Sequence, residues 1–296
     1  MKFPKFVSLL FLACAAFLMT ACDKNSPLSP QNEMNATEDA AESVASAIGS
    51  DNGGVADQLS DVIELASMKG IQEQSSSLLG KYTSETEIAK IDTSYDPATG
   101  TWTLKLQRER GNPNGVPYAQ ISRTYTYQYL NKNGQPQKYY IVGADTAYTI
   151  KFNIVEGTGT HRTRRLSQKL TGLSGNFTAT GVNTRLITIN GNYQRSAVDT
   201  ITTREAVRTL DHTLKLTLTD VKGPIGKRLD HTRKFSGTIS GTYTAFATFQ
   251  RGESYSEKNI NREFTIVLGD GESTIHIRGL KFVGDLLLGE LKRLVR

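Results

Sequence analysis

"ISRTYTYQYL", Ile121–Leu130, decides the fold. Tyr125, Tyr127 and Tyr129 alternate with Thr124, Thr126 and Gln128. That period of two predicts a strand with one apolar and one polar face. "NKNGQP" follows as a turn, and Tyr139 and Tyr140 come after it. A hairpin here gathers several tyrosine rings. They read either as a cross-strand ladder, at about 0.2–1 kcal/mol per pair, or as a ligand platform of Tyr125, Tyr127, Tyr129 and Tyr139 for sugar rings or an apolar molecule.

The same period runs outward in both directions. "TWTLKLQ", "YTIKFNI", "LDHTLKLTL", "FTIVL" and "STIHIRG" all alternate, separated by "DPATG", "KGPIG" and "GDGES". Short links between alternating strands predict an antiparallel sheet. Roughly eleven to thirteen strands are too many for one flat sheet, so it must coil, close or fold over. "SGNFTA" (174–179) recurs as "SGTYTA" (240–245), with "NGNY" (190–193) as a partial copy. Gly175, Gly191 and Gly241 each lie two residues before an aromatic ring, which suits local bending. The expected fold class is mainly β: a large curved antiparallel sheet, half-barrel or sandwich-like, with short N-terminal helices. The ending, "LKFVGDLLLGELKRLVR", fits a hairpin near "LLGE" better than a basic amphipathic helix.

Upstream of Thr86 the period is near four. "NATEDAAESVASAIG" opens with Asn35 and Glu38 at capping-box spacing. "VADQLSDVIELASMKG" places Val55, Leu59, Val62 and Ala66 on one stripe. Both read as short amphipathic helices that need a surface to cover. Before them, "DKNSPLSPQNEM" reads as a polar tether reaching roughly 40 Å at about 3.4 Å per residue.

The start of the chain has the three parts of a secretory signal: Lys2 and Lys5, an apolar run from Phe6 to Met19, then Thr20-Ala21. "LMTAC" ends at Cys22 and resembles the lipobox of bacterial lipoproteins. Met19 stands where that pattern usually has Leu, and Cys14 is a rival with a shorter apolar core. The resemblance covers residues 1–22 and implies lipidation of Cys22. It implies a bacterial envelope protein held to the membrane by its N-terminal lipid, with the outer membrane favoured. The expected organisation is a signal peptide over 1–21, a tether over 22–34, an acidic helical segment over 35–80 and an antiparallel β-domain over 81–296.

Residues 23–80 hold ten acidic and two basic residues; residues 81–296 hold thirty-one basic and nineteen acidic. Either the acidic helices dock on the basic sheet, or a basic face meets anionic lipid or polysaccharide. The densest basic cluster is "HRTRRLSQK", with Arg162, Arg164, Arg165 and Lys169. An exported lipoprotein does not point to nucleic acid.

Chemistry is sparse. With cleavage before Cys22 no second cysteine remains, which leaves no disulfide, thiol metal site or cysteine nucleophile. No G-x-S-x-G, P-loop or HExxH occurs. His212 and His231 sit in near-copies, "LDHTLKL" and "LDHTRKF", but adjacent strand residues face opposite ways, so Asp211 cannot serve His212. A hairpin centred on Pro224-Ile225 sets His212 opposite Gly237 and keeps the two histidines far apart. His276 falls on the polar side of its strand. The expectation is no enzyme, no metal and no cofactor. The leading reading is a binding or carrier module for an apolar or lipid-like ligand, with a helix as lid. The alternative is a structural or surface-interaction lipoprotein that binds a glycan or protein.

Overall fold

The computed structural model describes residues 30–51, 53–66, 87–162, 164, 166–225 and 234–295. The signal peptide, Cys22, the tether up to residue 29, residues 67–80 of the helical segment, Arg165 and His231 lie outside them. The chain divides into two compact units, Met1–Ala36 and Thr37–Arg296. The described part of the first is the opening of helix α1 (Pro30–Ile48). The last residues of the expected tether are therefore helical, and Asn35 is not the cap. Proline suits a first helical position, where its missing N–H would be unpaired in any case.

The second unit holds the rest of α1, helix α2 (Val55–Ala66) and the sheet. The first strands are β1 (Glu87–Asp96), β2 (Thr101–Gly111) and β3 (Tyr118–Leu130). Short β4 (Pro136–Gln137), β5 (Ile141–Val142) and β6 (Asp145–Thr146) follow. Then come β7 (Thr149–Arg162), β8 (Leu166–Thr180), β9 (Leu186–Thr202), β10 (Val207–Pro224), β11 (Ser236–Arg251) and β12 (Ser254–Gly269). The last are β13 (Glu272–Ile277), β14 (Leu280–Asp285) and β15 (Leu291–Val295).

One 13-stranded antiparallel sheet runs β1-β2-β3-β7-β8-β9-β10-β11-β12-β13-β14-β15, with β4 paired to β3. β5 and β6 form a separate pair. β1 and β15 do not pair, so the sheet is not closed into a barrel. The ending is a hairpin: β14 and β15 pair in antiparallel register.

The helices pack against the inner face of the sheet with their polar side chains buried as well. All twelve residues of α2 are buried, including Asp57, Gln58, Asp61 and Glu64. An amphipathic helix normally keeps one face wet. Here the inner face of the sheet answers the polar one. Arg108 on β2 holds Asp57 and Asp61 at 3.0 Å each, and Arg123 on β3 holds Asp57 at 2.6 Å. Arg208 on β10 pairs with Asp39 on α1. The acidic segment docks on the basic sheet, the first of the two readings of the charge split.

The loop between the helices links strands that lie far apart in the sheet order. Ser50 and Asp51 donate backbone N–H groups to Leu286 and Leu287, 2.8 Å each, in the β14–β15 turn. The Asp51 carboxylate meets Arg110 of β2 at 3.2 Å, and Arg123 donates to the Gly53 carbonyl. The two margins of the open sheet are thus joined through this loop rather than through strand pairing.

The repeated glycines act across strands. Gly175 lies opposite Tyr193, and Gly191 opposite Phe177, so each ring covers its neighbour's missing side chain. Gly241 sits between Leu216 and Phe264. A Cβ there would lie 2.5 Å from the Lys215 carbonyl and 2.7 Å from the Phe264 ring.

Register corrects one expectation. His212 pairs with Ala245, not Gly237, because β11 begins only at Ser236 and the β10–β11 connection is long. A bulge near Asp220, which has a φ of 49°, shifts the register further.

Candidate functional site

Tyr125, Tyr127 and Tyr129 are only 1–2% exposed and face the interior. The Tyr125 hydroxyl donates to Asp61 at 3.0 Å and lies 2.8 Å from the Gln58 amide. Burial pushes its pKa up. The Tyr129 hydroxyl donates to the Leu65 carbonyl at 2.9 Å. These rings hold α2; with the helix in place they offer no platform. Tyr139 alone of the four is exposed, at 37%. The space beneath α2, lined by Leu65, Leu104, Leu106, Tyr127 and Phe152 among others, is about 20 Å³. That is room for one water and not for a lipid chain.

The described members of the basic cluster lie at the turn end of the β7–β8 hairpin, where Lys169 pairs with Thr160 and Arg162 with Ser167. Arg162 lies over the Tyr118 ring, 4.8 Å from its centroid, and donates to the Pro113 carbonyl. Arg164 and Lys169 are exposed. His161 beside them is half-buried, and burial together with Arg195 pulls its pKa down to about 4.

His212 is 2% exposed, more enclosed than the half-buried packing position its apolar stripe suggests. Its partner is one that pairing within its own strand could not supply: Asp199 of β9, with Nε2 to Oδ2 at 3.0 Å. Gln168 and Ser43 also donate to Asp199, at 2.7 and 3.2 Å. Burial opposes ionisation of Asp199, but these hydrogen bonds and the Arg195 charge outweigh it, and its pKa is lowered. With Tyr243 also donating to Ser43 at 3.4 Å, this network pins α1 to β8, β9, β10 and β11. It is closed to solvent and holds structure.

The open site is on the opposite face. A groove of about 990 Å³ crosses seven strands, β7 to β13. At about 4.8 Å per strand its length is roughly 29 Å. One wall is a continuous cross-strand row: Asn153, Asn176, Asn192, Thr217, Ser240, Thr265, His276. The other wall is Ser174, Gln194, Lys215, Thr242 and Glu263. The floor between them is backbone of inward-facing residues, Ile154, Gly175, Tyr193, Leu216, Gly241 and Phe264. At Gly175 and Gly241 no side chain holds the strand away from the packed interior, so it can dip inward and leave a hollow outside.

The repeats therefore build this groove. Ser174 and Asn176 flank Gly175, and Ser240 and Thr242 flank Gly241, each pair contributing to both walls. The repeat was legible in the sequence; the row it forms across seven strands was not, because pairing register lies beyond a single strand. Thr217 donates to Asn192 Oδ1 at 3.2 Å, and Asn153 to Thr126 at 3.4 Å. Among the described residues, the Asn176, Ser240 and Thr265 side chains have no hydrogen-bond partner and face solvent.

Glu263 and His276 both line the groove, as diagonal neighbours on β12 and β13. No hydrogen bond joins them. Among the described residues no group of three His, Cys, Asp or Glu side chains converges as a metal site would require. Comparison with known proteins gives no match: no family model matches the chain, and no curated protein and no solved structure is detectably similar to it.

Proposed function

We propose that this chain is a lipid-anchored, non-catalytic protein of the bacterial envelope that binds an extended polar ligand, a glycan, in the outer groove. The observation that carries the reading is the pair of amide- and hydroxyl-lined walls along about 990 Å³ of open groove. Asn and Gln offer both a donor and an acceptor, and Ser and Thr hydroxyls rotate to suit either role. Such groups match sugar hydroxyls. The strand spacing presents them at a repeat comparable to that of an extended polysaccharide. The lipobox-like "LMTAC" supplies the anchor.

An apolar carrier is the weaker reading. It would have to empty an interior now filled by two helices, breaking the Asp57 and Asp61 ion pairs. Breaking such a buried pair costs about 3–5 kcal/mol.

The test is affinity electrophoresis of the full-length mature protein through gels carrying neutral or acidic polysaccharides. Retardation by at least one of them is expected. It should disappear in Asn192→Leu/Ser240→Leu at unchanged melting temperature. No retardation by any polysaccharide, together with stoichiometric lipid in native mass spectrometry, would overturn the reading in favour of a carrier. Incorporation of labelled palmitate, lost in Cys22→Ser, tests the anchor separately.

A further inference from the structure

A second site stands at the β1 end of the sheet, independent of the groove. Tyr95 on β1 lies directly opposite Trp102 on β2. Their ring centroids are 4.7 Å apart, tilted by 42°. Tyr139, from the segment after β4, brings a third ring to 6.3 Å from Trp102. Tyr127 stacks behind the indole at 6.4 Å and 15°. Two polar anchors fix the segment that carries Tyr139. The indole N–H donates to the Lys138 carbonyl at 2.6 Å, and the Gln137 amide donates to the Tyr139 and Tyr140 carbonyls at 2.8 and 2.9 Å.

The rings already hold a cation. The Lys138 ammonium sits 5.2 Å from the Tyr95 centroid and 5.2 Å from the Tyr139 centroid. Among the described residues it has no carboxylate partner. The rings' negative faces are what attract it. A primary ammonium is a poor occupant of such a place. It is compact and strongly hydrated, and gives up water to enter. A quaternary ammonium has no N–H to solvate and spreads its charge over methyl groups, which suits an aromatic cage.

We propose that Tyr95 and Tyr139, braced by the buried Trp102, clamp a quaternary ammonium group, with Lys138 as its displaceable resident. Lys138 is exposed and sits on a flexible stem, so it can swing out to solvent when a better cation arrives. Trp102 is held in place by its hydrogen bond and by Tyr127, so the support behind the two tyrosine rings is preformed. The resident lysine makes the site self-occluded and lowers its apparent affinity.

Trp102 is the only tryptophan in the chain, so indole emission reports this site alone. The experiment titrates the full-length mature protein with tetramethylammonium chloride, against sodium chloride at matched ionic strength. A saturable change in emission is expected with tetramethylammonium only. Lys138→Ala should bind roughly tenfold tighter, because the internal competitor is gone. Tyr139→Ala should abolish saturation, and Tyr139→Phe, which keeps the ring, should retain it. Identical responses to both salts in the wild type and in Lys138→Ala would overturn the proposal. So would equal affinity in Tyr139→Ala and the wild type. Phosphocholine and a trimethyllysine peptide as further titrants then distinguish a lipid or polymer headgroup from a modified protein as the source.

Discussion

The Asp57 carboxylate on α2 lies 2.6 Å from the Arg123 guanidinium on β3, at a site where Arg123 has no solvent exposure. Burial alone would lower the Arg123 pKa, but Tyr125, Asp57 and Asp61 outweigh it and raise it. The guanidinium is therefore held charged in a dry site. Removing Arg123 leaves Asp57 with Arg108 as its remaining cation and takes a buried donor from the Tyr125 hydroxyl and the Gly53 carbonyl. Arg123→Ala should destabilise the protein by about 3–5 kcal/mol, measured by urea unfolding. Arg123→Met combined with Asp57→Leu should cost less than the sum of the single changes, since the two residues share one interaction.

The groove's floor depends on missing side chains. Gly241→Val puts carbon against the Lys215 carbonyl and the Phe264 ring. It should cost about 1–3 kcal/mol by overpacking, read as a fall in melting temperature. Ser240→Ala next to it points outward and should stay within about 0.5 kcal/mol of the wild type.

The four tyrosines should separate by burial. Tyr129→Phe leaves the Leu65 carbonyl without its donor and should cost about 1–3 kcal/mol. Tyr139→Phe, at an exposed ring, should change stability by less than about 0.5 kcal/mol. Urea midpoints of the two variants check this directly.

Acid should weaken the fold through His161. Its native pKa is lowered from 6.5 to about 4, so between those values the unfolded chain binds a proton that the native state refuses. The contribution is complete above pH 6.5 and is lost as pH falls toward 4. For a half-buried ring it is on the order of 1–2 kcal/mol. His161→Gln should flatten the urea midpoint across that window. The Asp199 network, with its lowered pKa, adds a further loss only at lower pH, as the carboxylate protonates.

Deletion of residues 37–66 should abolish folding altogether. Without α1 and α2 the sheet loses the Ser50 and Asp51 links to the β14–β15 turn and exposes Arg108, Arg123, Tyr125 and Phe152. Circular dichroism of the deletion should show no cooperative thermal transition.

Much of this architecture was legible residue by residue. Alternation in "ISRTYTYQYL" and its counterparts located the strands, because side-chain direction along a strand is a local property with period two. The period near four located both helices for the same reason. The C-terminal hairpin followed from Gly284 and Gly289, which weaken a helix. The apolar stripe of His212 pointed to a half-buried packing position, and the fold encloses it further.

What pairs with what was not legible. Single strands specify faces, whereas partners depend on register across segments distant in the chain. So the sequence showed that Tyr125 and Tyr127 share a face but not that α2 covers it. It showed two stretches of opposite charge but not that Asp57 would meet Arg123, 66 residues away. It carried the SGNFTA and SGTYTA repeats without the seven-strand row that makes them a groove. Periodicity along the backbone determined the elements and their faces. Only the curl of the sheet around two buried acidic helices decided which face became core and which became the open site, because burial of charge requires partners that only the folded register supplies.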